Sequence, residues 1–394
     1  MANIQTLKGF RDFLPEEARR RQYVLGTLKK VFALYGFEPL ETPSLEYEDI
    51  LTGKYGDEGD KLMYKFKDLG GRNVAMRYDQ TVPLARVIAQ RQNDVQLPFK
   101  RYQMQNVWRA ENTQKGRYRE FLQVDADIVG TYSPLADAEI IALAAKCLEN
   151  LGIKDFYVYI NDRKIFSDIP KEAILILDKL KKIGPSKVQE ELSKRNFDPD
   201  LLIKLKNIPP SKTLITIKET LKKIDNDLTD ERVKIENTLA RGLDYYTGLI
   251  FEIEIMEYAA GSIAGGGRYD NLIGIFAGKE IPAVGFAFGF DRLIEAMDEL
   301  SLFPKDINGK NIFIAFSNSN LQEKALNITS QLRNKGLGAE FYLEDATLEK
   351  QLKYADKKNI PFVVIVEDNN LILKDMEKRS QENLPLEKII EKLS

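Results

Sequence analysis

Between Arg101 and Gly130 the chain reads RYQMQNVWRAENTQKGRYREFLQVDADIVG, with its chemically able residues at regular intervals. Phe121, Gln123, Asp125 and Asp127 alternate with Leu122, Val124, Ala126 and Ile128. A period of two sends successive side chains to opposite faces of a strand. One face is then apolar and suits a core. The other carries an aromatic ring, an amide and two carboxylates, where an ordinary half-buried strand would show Lys, Thr or Glu. Short Asp and Gln beside Phe suit a surface that holds something small and polar. Arg109 stands just before a loop that holds Lys115 and Arg117, with Arg119 just after it. Planar guanidinium groups donate paired hydrogen bonds to phosphate. Two strands joined by a basic loop therefore suit a nucleotide at the mouth and an amino compound along the strand. The same spacing also fits a solvated charged hairpin.

Composition narrows the chemistry. The chain has no histidine and a single cysteine, Cys147. There is no imidazole base or ligand, too few soft ligands for a protein zinc site, and no internal disulfide. Cys147 lies in the apolar helical run 140–148 and reads as a small hydrophobe. Chemistry must rest on Arg, Lys, Tyr and carboxylates, with any metal a hard cation carried by substrate phosphates. The 394 residues, 43% hydrophobic and 30% charged, read as two or three soluble globular domains. No apolar run approaches the ~20 residues of a membrane span. Residues 1–21 are charged throughout, unlike a secretory signal, so a cytoplasmic protein is expected. A net charge of −2 gives no global nucleic-acid signature. Any RNA contact must use local patches.

The elements that position these residues follow in order. Pro15, with Glu16 and Glu17, opens a helix to about Tyr35, and a strand is expected at Phe37–Thr42. Lys61–Phe66 and Asn73–Arg77 read as short strands. Asp79 and Thr81 stand where a strand gives way to a helix, and either could cap it. Ser133 and Pro134 begin a helix to Asn150, and Phe156–Ile160 is a strand. From Asp162 to Thr229 short helical pieces are broken at Pro170, Gly184-Pro185 and Pro209-Pro210. Between Lys171 and Lys223 there are 13 basic and 7 acidic residues, which fits RNA contact or a solvated surface. Leu249–Ile255 alternates as a strand, Ala264–Leu272 reads as a glycine-rich turn, and Pro282–Met297 reads as a strand feeding a helix. Beyond a polar linker at Lys305–Lys310, strands at 311–316, 338–342 and 362–366 alternate with helices at 321–335 and 348–358. That order predicts a parallel sheet covered by helices.

WRAE followed by QKGRYREFLQVDADIVG resembles motif 2 of the class II aminoacyl-tRNA synthetases, in the version carried by histidyl-tRNA synthetases. ARGLDYYTG at 240–248 and AGGGRYDNL at 264–272 resemble two signatures of that subgroup. PAVGFAFGFDRLIEAM resembles motif 3, with Asp291 where the family usually has Glu. The Pro15 helix and its strand resemble motif 1. The C-terminal part resembles an anticodon-binding domain. Asn112-Thr113, where many relatives have Arg-Pro, and Val366–Asn370 depart from the family pattern.

The resemblance implies an α+β protein. An antiparallel-sheet catalytic domain (1–160 and 231–304) would carry a helical insertion (161–230), followed by an α/β anticodon-binding domain (305–394). It implies ATP-dependent ligation of L-histidine to tRNA(His) through a histidyl-adenylate, by a homodimer built on motif 1. Arg241 and Arg109 would be catalytic at the α-phosphate. Glu111, Arg117, Phe121 and Arg292 would bind ATP, whose Mg²⁺ would ride on the β- and γ-phosphates. Asp79, Thr81 and Gln123 would take the α-ammonium of histidine. Asp127 and Tyr246 would take its imidazole nitrogens, with Tyr245 alongside. Two other classes share parts of the pattern: a regulatory subunit of ATP phosphoribosyltransferase and a degenerate tRNA-sensing module. The first typically lacks both the C-terminal domain and an arginine at 241. The intact Arg109, Arg241 and Arg292 argue against the second.

Overall fold

A computed structural model describes residues 4–54, 56–113, 116–241, 245–259, 261–304, 307 and 311–394. Lys115 of the basic loop, residues 242–244 of ARGLDYYTG, and 305, 306 and 308–310 of the linker lie outside them. The chain divides into two compact units, Met1–Phe303 and Pro304–Ser394.

The first unit is organised on an eight-stranded sheet. Its spatial order is Glu38–Pro39, Phe99–Trp108, Glu120–Val129, Ala283–Gly289, Ala264–Arg268, Leu249–Ile255, Phe156–Asp162 and Val233–Ile235. The six central strands pair antiparallel, and each edge strand is parallel to its neighbour. On one face Val124, Ala126 and Ile128 pack into a core with Ile140, Ile141, Ala144 and Leu148 of the helix Pro134–Asn150. Ser133 Oγ accepts from the Leu135 amide at that helix's start, and Pro134 gives up an amide that no helix would use. The helix Lys212–Ile224 adds Leu214, Ile217 and Leu221 to the same core. The short helices before it form a cluster of their own, including Ile176, Leu177, Val188 and Leu192, that reaches Tyr246 and Ile250.

The N-terminal segment is tied to distant parts of this unit. Gly9 O accepts from the Arg119 amide at 2.9 Å, and the Arg11 guanidinium lies over the Tyr118 ring. Arg11 and Arg21 both ion-pair with Asp291, at 2.8 and 2.6 Å. The long helix Pro15–Leu34 begins where Pro15 and the acidic first turn place it.

Three expected elements differ. The strand at Phe37–Thr42 shrinks to the pair Glu38–Pro39, which stand in register with Arg101 and Tyr102, and the Leu40 amide makes the last backbone bond to that neighbour. Lys61 ends a short helix, Gly56–Lys61, and the strand after it begins only at Lys65. Ala264–Arg268 is a strand in the sheet interior, not a turn.

The second unit is a five-stranded sheet in the order Ala339–Phe341, Ile312–Phe316, Phe362–Val366, Leu371–Asp375 and Ser380–Asn383. The first three are parallel, but the last two add antiparallel, so the sheet is mixed. No helix of the described residues is long and apolar enough to cross a membrane.

Candidate active site

The site occupies the sheet face opposite the Pro134–Asn150 helix. Strand register lays two rows across it. In the first, Arg101, Asp127, Gly285, Gly267 and Ile250 stand successively opposite one another. In the second, Gln103, Asp125, Ala287, Gly265 and Glu252 do the same. Glycine and alanine thus floor the middle, with carboxylates at both sides. The glycines make room for particular side chains. A Cβ on Gly285 would collide with Asp127 Oδ1, one on Gly265 with the Arg241 guanidinium, and one on Gly267 with the Leu249 carbonyl and then the Tyr246 ring.

Above this floor lies a cavity of about 480 Å³. Asp79, Thr81, Arg109, Arg117, Phe121, Gln123, Asp127, Arg241, Tyr245, Tyr246 and Arg292 all line it. Glu111 lies beside it instead, in an adjoining cavity of about 390 Å³ that shares Arg109, Arg117, Phe121, Arg241 and Arg292. Every candidate that the sequence singled out is therefore in one of two contiguous spaces.

The cationic groups are held firmly. Arg109 donates from Nε to Tyr78 O at 3.1 Å and lies between the Tyr78 and Phe121 rings, 4.5 and 5.2 Å from their centroids. Arg292 Nη1 donates to Ser262 O at 2.9 Å. Arg117, half exposed, stands 3.6 Å from a Glu111 carboxylate oxygen. Arg241 pairs with Glu252 at 3.1 Å, while its Nε is buried without a hydrogen-bond partner among the described residues. A buried donor left unsatisfied is costly, which marks this edge of Arg241 as a place for an acceptor.

At the acidic end, Asp79 Oδ1 accepts from the Thr81 and Val82 amides, both at 3.1 Å. It caps the helix Thr81–Gln90, the role open to either residue, and still lines the cavity. Asp127 accepts from the Tyr269 hydroxyl and contacts Arg101, whose Nη2 lies 2.7 Å from its Oδ2. Burial pushes the Asp125 carboxyl up to about 8, Arg101 only partly offsetting it, and moves Asp127 in the same direction for the same reason. Burial also holds the Tyr245 and Tyr269 hydroxyls well above their ordinary range. The Tyr245 ring centroid lies 4.9 Å from that of Tyr246 and 5.9 Å from that of Tyr269, making an aromatic wall.

Among the site's residues not assigned from sequence are Arg101, Asp125, Glu252 and Tyr269. Asp125 was visible in the alternation of its strand. The others depend on register between strands distant in sequence. Arg268, inside the GGGRYD signature, points elsewhere: it pairs with the buried Asp137 at 2.9 Å and ties the sheet to the helix Pro134–Asn150.

An antiparallel sheet carrying arginines at one end of a cavity and carboxylates, an amide and tyrosines at the other, followed by a separate C-terminal unit, defines a class II aminoacyl-tRNA synthetase. A family model for histidyl-tRNA synthetase matches residues 9–184 and 177–293, and one for an anticodon-binding domain matches 310–394. The chain belongs to the histidyl-tRNA synthetase family. It is 39% identical to a histidine–tRNA ligase of Cytophaga hutchinsonii, covering 98% of each chain, and 37% identical to one of Bacteroides fragilis, covering 97% of each. A crystal structure of histidyl-tRNA synthetase from Nostoc sp. PCC 7120 superimposes with a TM-score of 0.85 at 31% identity, covering 100% of this chain and 99% of that one. A Bacillus halodurans structure described as an ATP phosphoribosyltransferase regulatory subunit/histidyl-tRNA synthetase has the same fold, with a TM-score of 0.71 at 23% identity, over 86% of this chain and 94% of that one.

Proposed function

We propose that this chain ligates L-histidine to tRNA(His) in two steps. The carboxylate of histidine attacks the α-phosphorus of ATP, giving histidyl-adenylate and pyrophosphate. The terminal ribose of the tRNA then takes the acyl group. One observation carries this reading: a single cavity joins an arginine end to an acidic, amide- and tyrosine-lined end, on a chain with no histidine. The attacking group is the substrate's own carboxylate, so no protein base is required. Catalysis is then positioning and charge stabilisation.

In this reading Arg109 and the unsatisfied edge of Arg241 meet the α-phosphate, where negative charge develops. Arg117 and Arg292 meet the distal phosphates. Phe121 and Arg292 hold the adenine between them, and Glu111 accepts from its amino group. Asp79, Thr81 and Gln123 hold the α-ammonium. Asp127 and Tyr246 engage the two imidazole nitrogens, with Tyr245 packed beside them. A buried site that must satisfy both nitrogens rejects amino acids that lack them, because its own polar groups would be left unpaired. Glu111 and Glu252 are each paired with an arginine. The residues therefore fit a magnesium ion carried on the β- and γ-phosphates as part of the nucleotide, neutralising their charge. The C-terminal unit would read the anticodon, and the basic insertion would support the acceptor end. We place the protein in the cytoplasm as a homodimer, with exposed Leu45, Tyr47 and Phe66 supplying apolar surface beside motif 1.

The test is exchange of pyrophosphate into ATP with each of the twenty amino acids in turn. Exchange with histidine alone is expected. Exchange with another amino acid, or with none, overturns the assignment.

A further inference from the structure

Asp125 is a carboxylate in the cavity floor for which the proposed reaction has no use. It is 3% exposed and lines the cavity between Gln123 and Asp127. Gln103 stands opposite it on one neighbouring strand and Ala287 on the other. Arg101, Asp127 and Asp79 are the charged groups that face it. Burying a carboxylate is expensive, and Arg101 is already in contact with Asp127. A group retained at that cost needs a purpose.

Its partner shows what the purpose is. Gln123 Nε2 lies 2.9 and 3.0 Å from the two oxygens of Asp125. Gln123 Oε1 accepts from Arg109 Nη2 at 3.3 Å. An amide has a donor end and an acceptor end, and only one orientation satisfies a carboxylate on one side and a guanidinium on the other. The backbone is fixed as well, since Gln80 Nε2 donates to Gln123 O at 3.0 Å. Without Asp125 only the 3.3 Å bond from Arg109 holds the amide, and an amide that escapes it presents its NH₂ group to the cavity. An NH₂ group cannot accept a hydrogen bond from an ammonium.

We propose that Asp125 is a positioning residue for the amino-acid substrate: it locks the Gln123 amide with its oxygen toward the α-ammonium site and so sets the preference for ligands that carry an amine. This rests on the placement of Gln123 at the α-ammonium. The device acts through orientation, so its signature is a loss of selectivity rather than a general loss of binding. It also explains why the neighbouring carboxylate Asp127 is insufficient alone: Asp127 is engaged by Tyr269 and Arg101 and makes no hydrogen bond to Gln123.

The experiment is calorimetric titration of the full-length chain with two probes at pH 8.5, above the value of about 8 to which burial raises the Asp125 carboxyl, so that Asp125 is an acceptor only. One is histidinol, the amino alcohol of histidine; the other is 3-(imidazol-4-yl)propan-1-ol, the same molecule without its amine. In Asp125→Asn, whose amide pairs with Gln123 in either orientation, the preference for the amine should fall about tenfold or more, the worth of a hydrogen bond to a charged group. ATP affinity, measured alongside, should hold. The double variant Asp125→Asn with Gln123→Glu should restore the preference, because a glutamate at 123 is an acceptor whichever way it turns. Gln123→Ala separates the placement of Gln123 from the role of Asp125. If it leaves the preference intact, the placement of Gln123 is wrong and the proposal falls with it. If Gln123→Ala lowers the preference but Asp125→Asn does not, Gln123 is placed correctly and the role of Asp125 is overturned. Failure of the double variant to recover also counts against the orientation device. Should Asp125→Asn fail to fold, Asp125→Ser removes the same acceptor with less bulk and is read in the same way.

Discussion

In the first unit, one face of the sheet is an ordinary core while the other buries Arg101, Asp125 and Asp127 beneath a cavity. In the second unit both faces of the parallel strands are apolar: Ile312, Ile314, Phe316 and Val364 on one side, Phe313, Ala315 and Val363 on the other. Among its described residues the buried polar side chains are Thr329 and Gln351, and both are satisfied. Thr329 bonds to Ala325 O, and Gln351 bonds to the backbone of Phe316 and Ala346. Desolvated charges seldom add net stability, so their retention in one sheet points to a ligand that uses them. The second sheet is built as a scaffold, and whatever it recognises must meet its surface.

The sharpest way to break this contrast is Arg241→Ala. Losing a donor aimed at developing charge should slow adenylate formation about 100- to 1,000-fold with little change in melting temperature. Stopped-flow rates close to the parent's would remove Arg241 from the chemistry. Truncation after Phe303 tests the other side. Charging of tRNA should fall more than about tenfold while pyrophosphate exchange persists, because the two units are separately compact. Equal loss of both would show that the second sheet supports the first. Gly285→Ala should raise the KM for histidine about tenfold and leave that for ATP steady, since its methyl group collides with Asp127 Oδ1 and presses on the Ala126 carbonyl of the same strand, displacing Asp127. An effect on ATP instead would misplace the acidic end.

The smallest effect is one of stability. The carboxyl of Asp125, ordinary in the unfolded chain, is pushed to about 8 by burial in the folded one. Folding therefore favours its protonated form. That contribution is complete below the unfolded value and is lost as pH rises through about 8. Asp125→Asn should melt roughly 2–4 °C above the parent at pH 8.5, with the gap closing toward pH 4. A constant gap across that range would mean that Asp125 carries no such cost.

Legibility followed the same division. Helices with local start signals were readable: Pro15 with its acidic turn, and Ser133-Pro134, begin helices where expected. The Glu120–Val129 strand announced both faces by alternation. Ala264–Arg268 did not, because glycines carry no side chains to alternate; its strand form comes from pairing with Leu249–Ile255 and Ala283–Gly289. Ser380–Asn383 is exposed at every position, so no apolar period marks it. Arg101 was in view from the start, yet its burial against Asp127 follows from strand register, which a linear reading does not carry. By alternation alone the two carboxylates of DAD are equivalent, and only the family resemblance singles out Asp127. In the fold, one is tied to Arg101 and Tyr269 and the other to Gln123.

The contacts of Arg11 and Arg21 with Asp291 span 280 and 270 residues of sequence. During synthesis these two ion pairs must wait until motif 3 has left the ribosome, although Gly9 can bond to Arg119 earlier. The nucleotide end of the cavity is thus finished by closing a long loop, a slow kind of step because its entropy is spent before its contacts form. A ribosome stalled before residue 291 would release a fragment that holds the acidic end of the site on a partly built sheet and lacks the clamp that completes it.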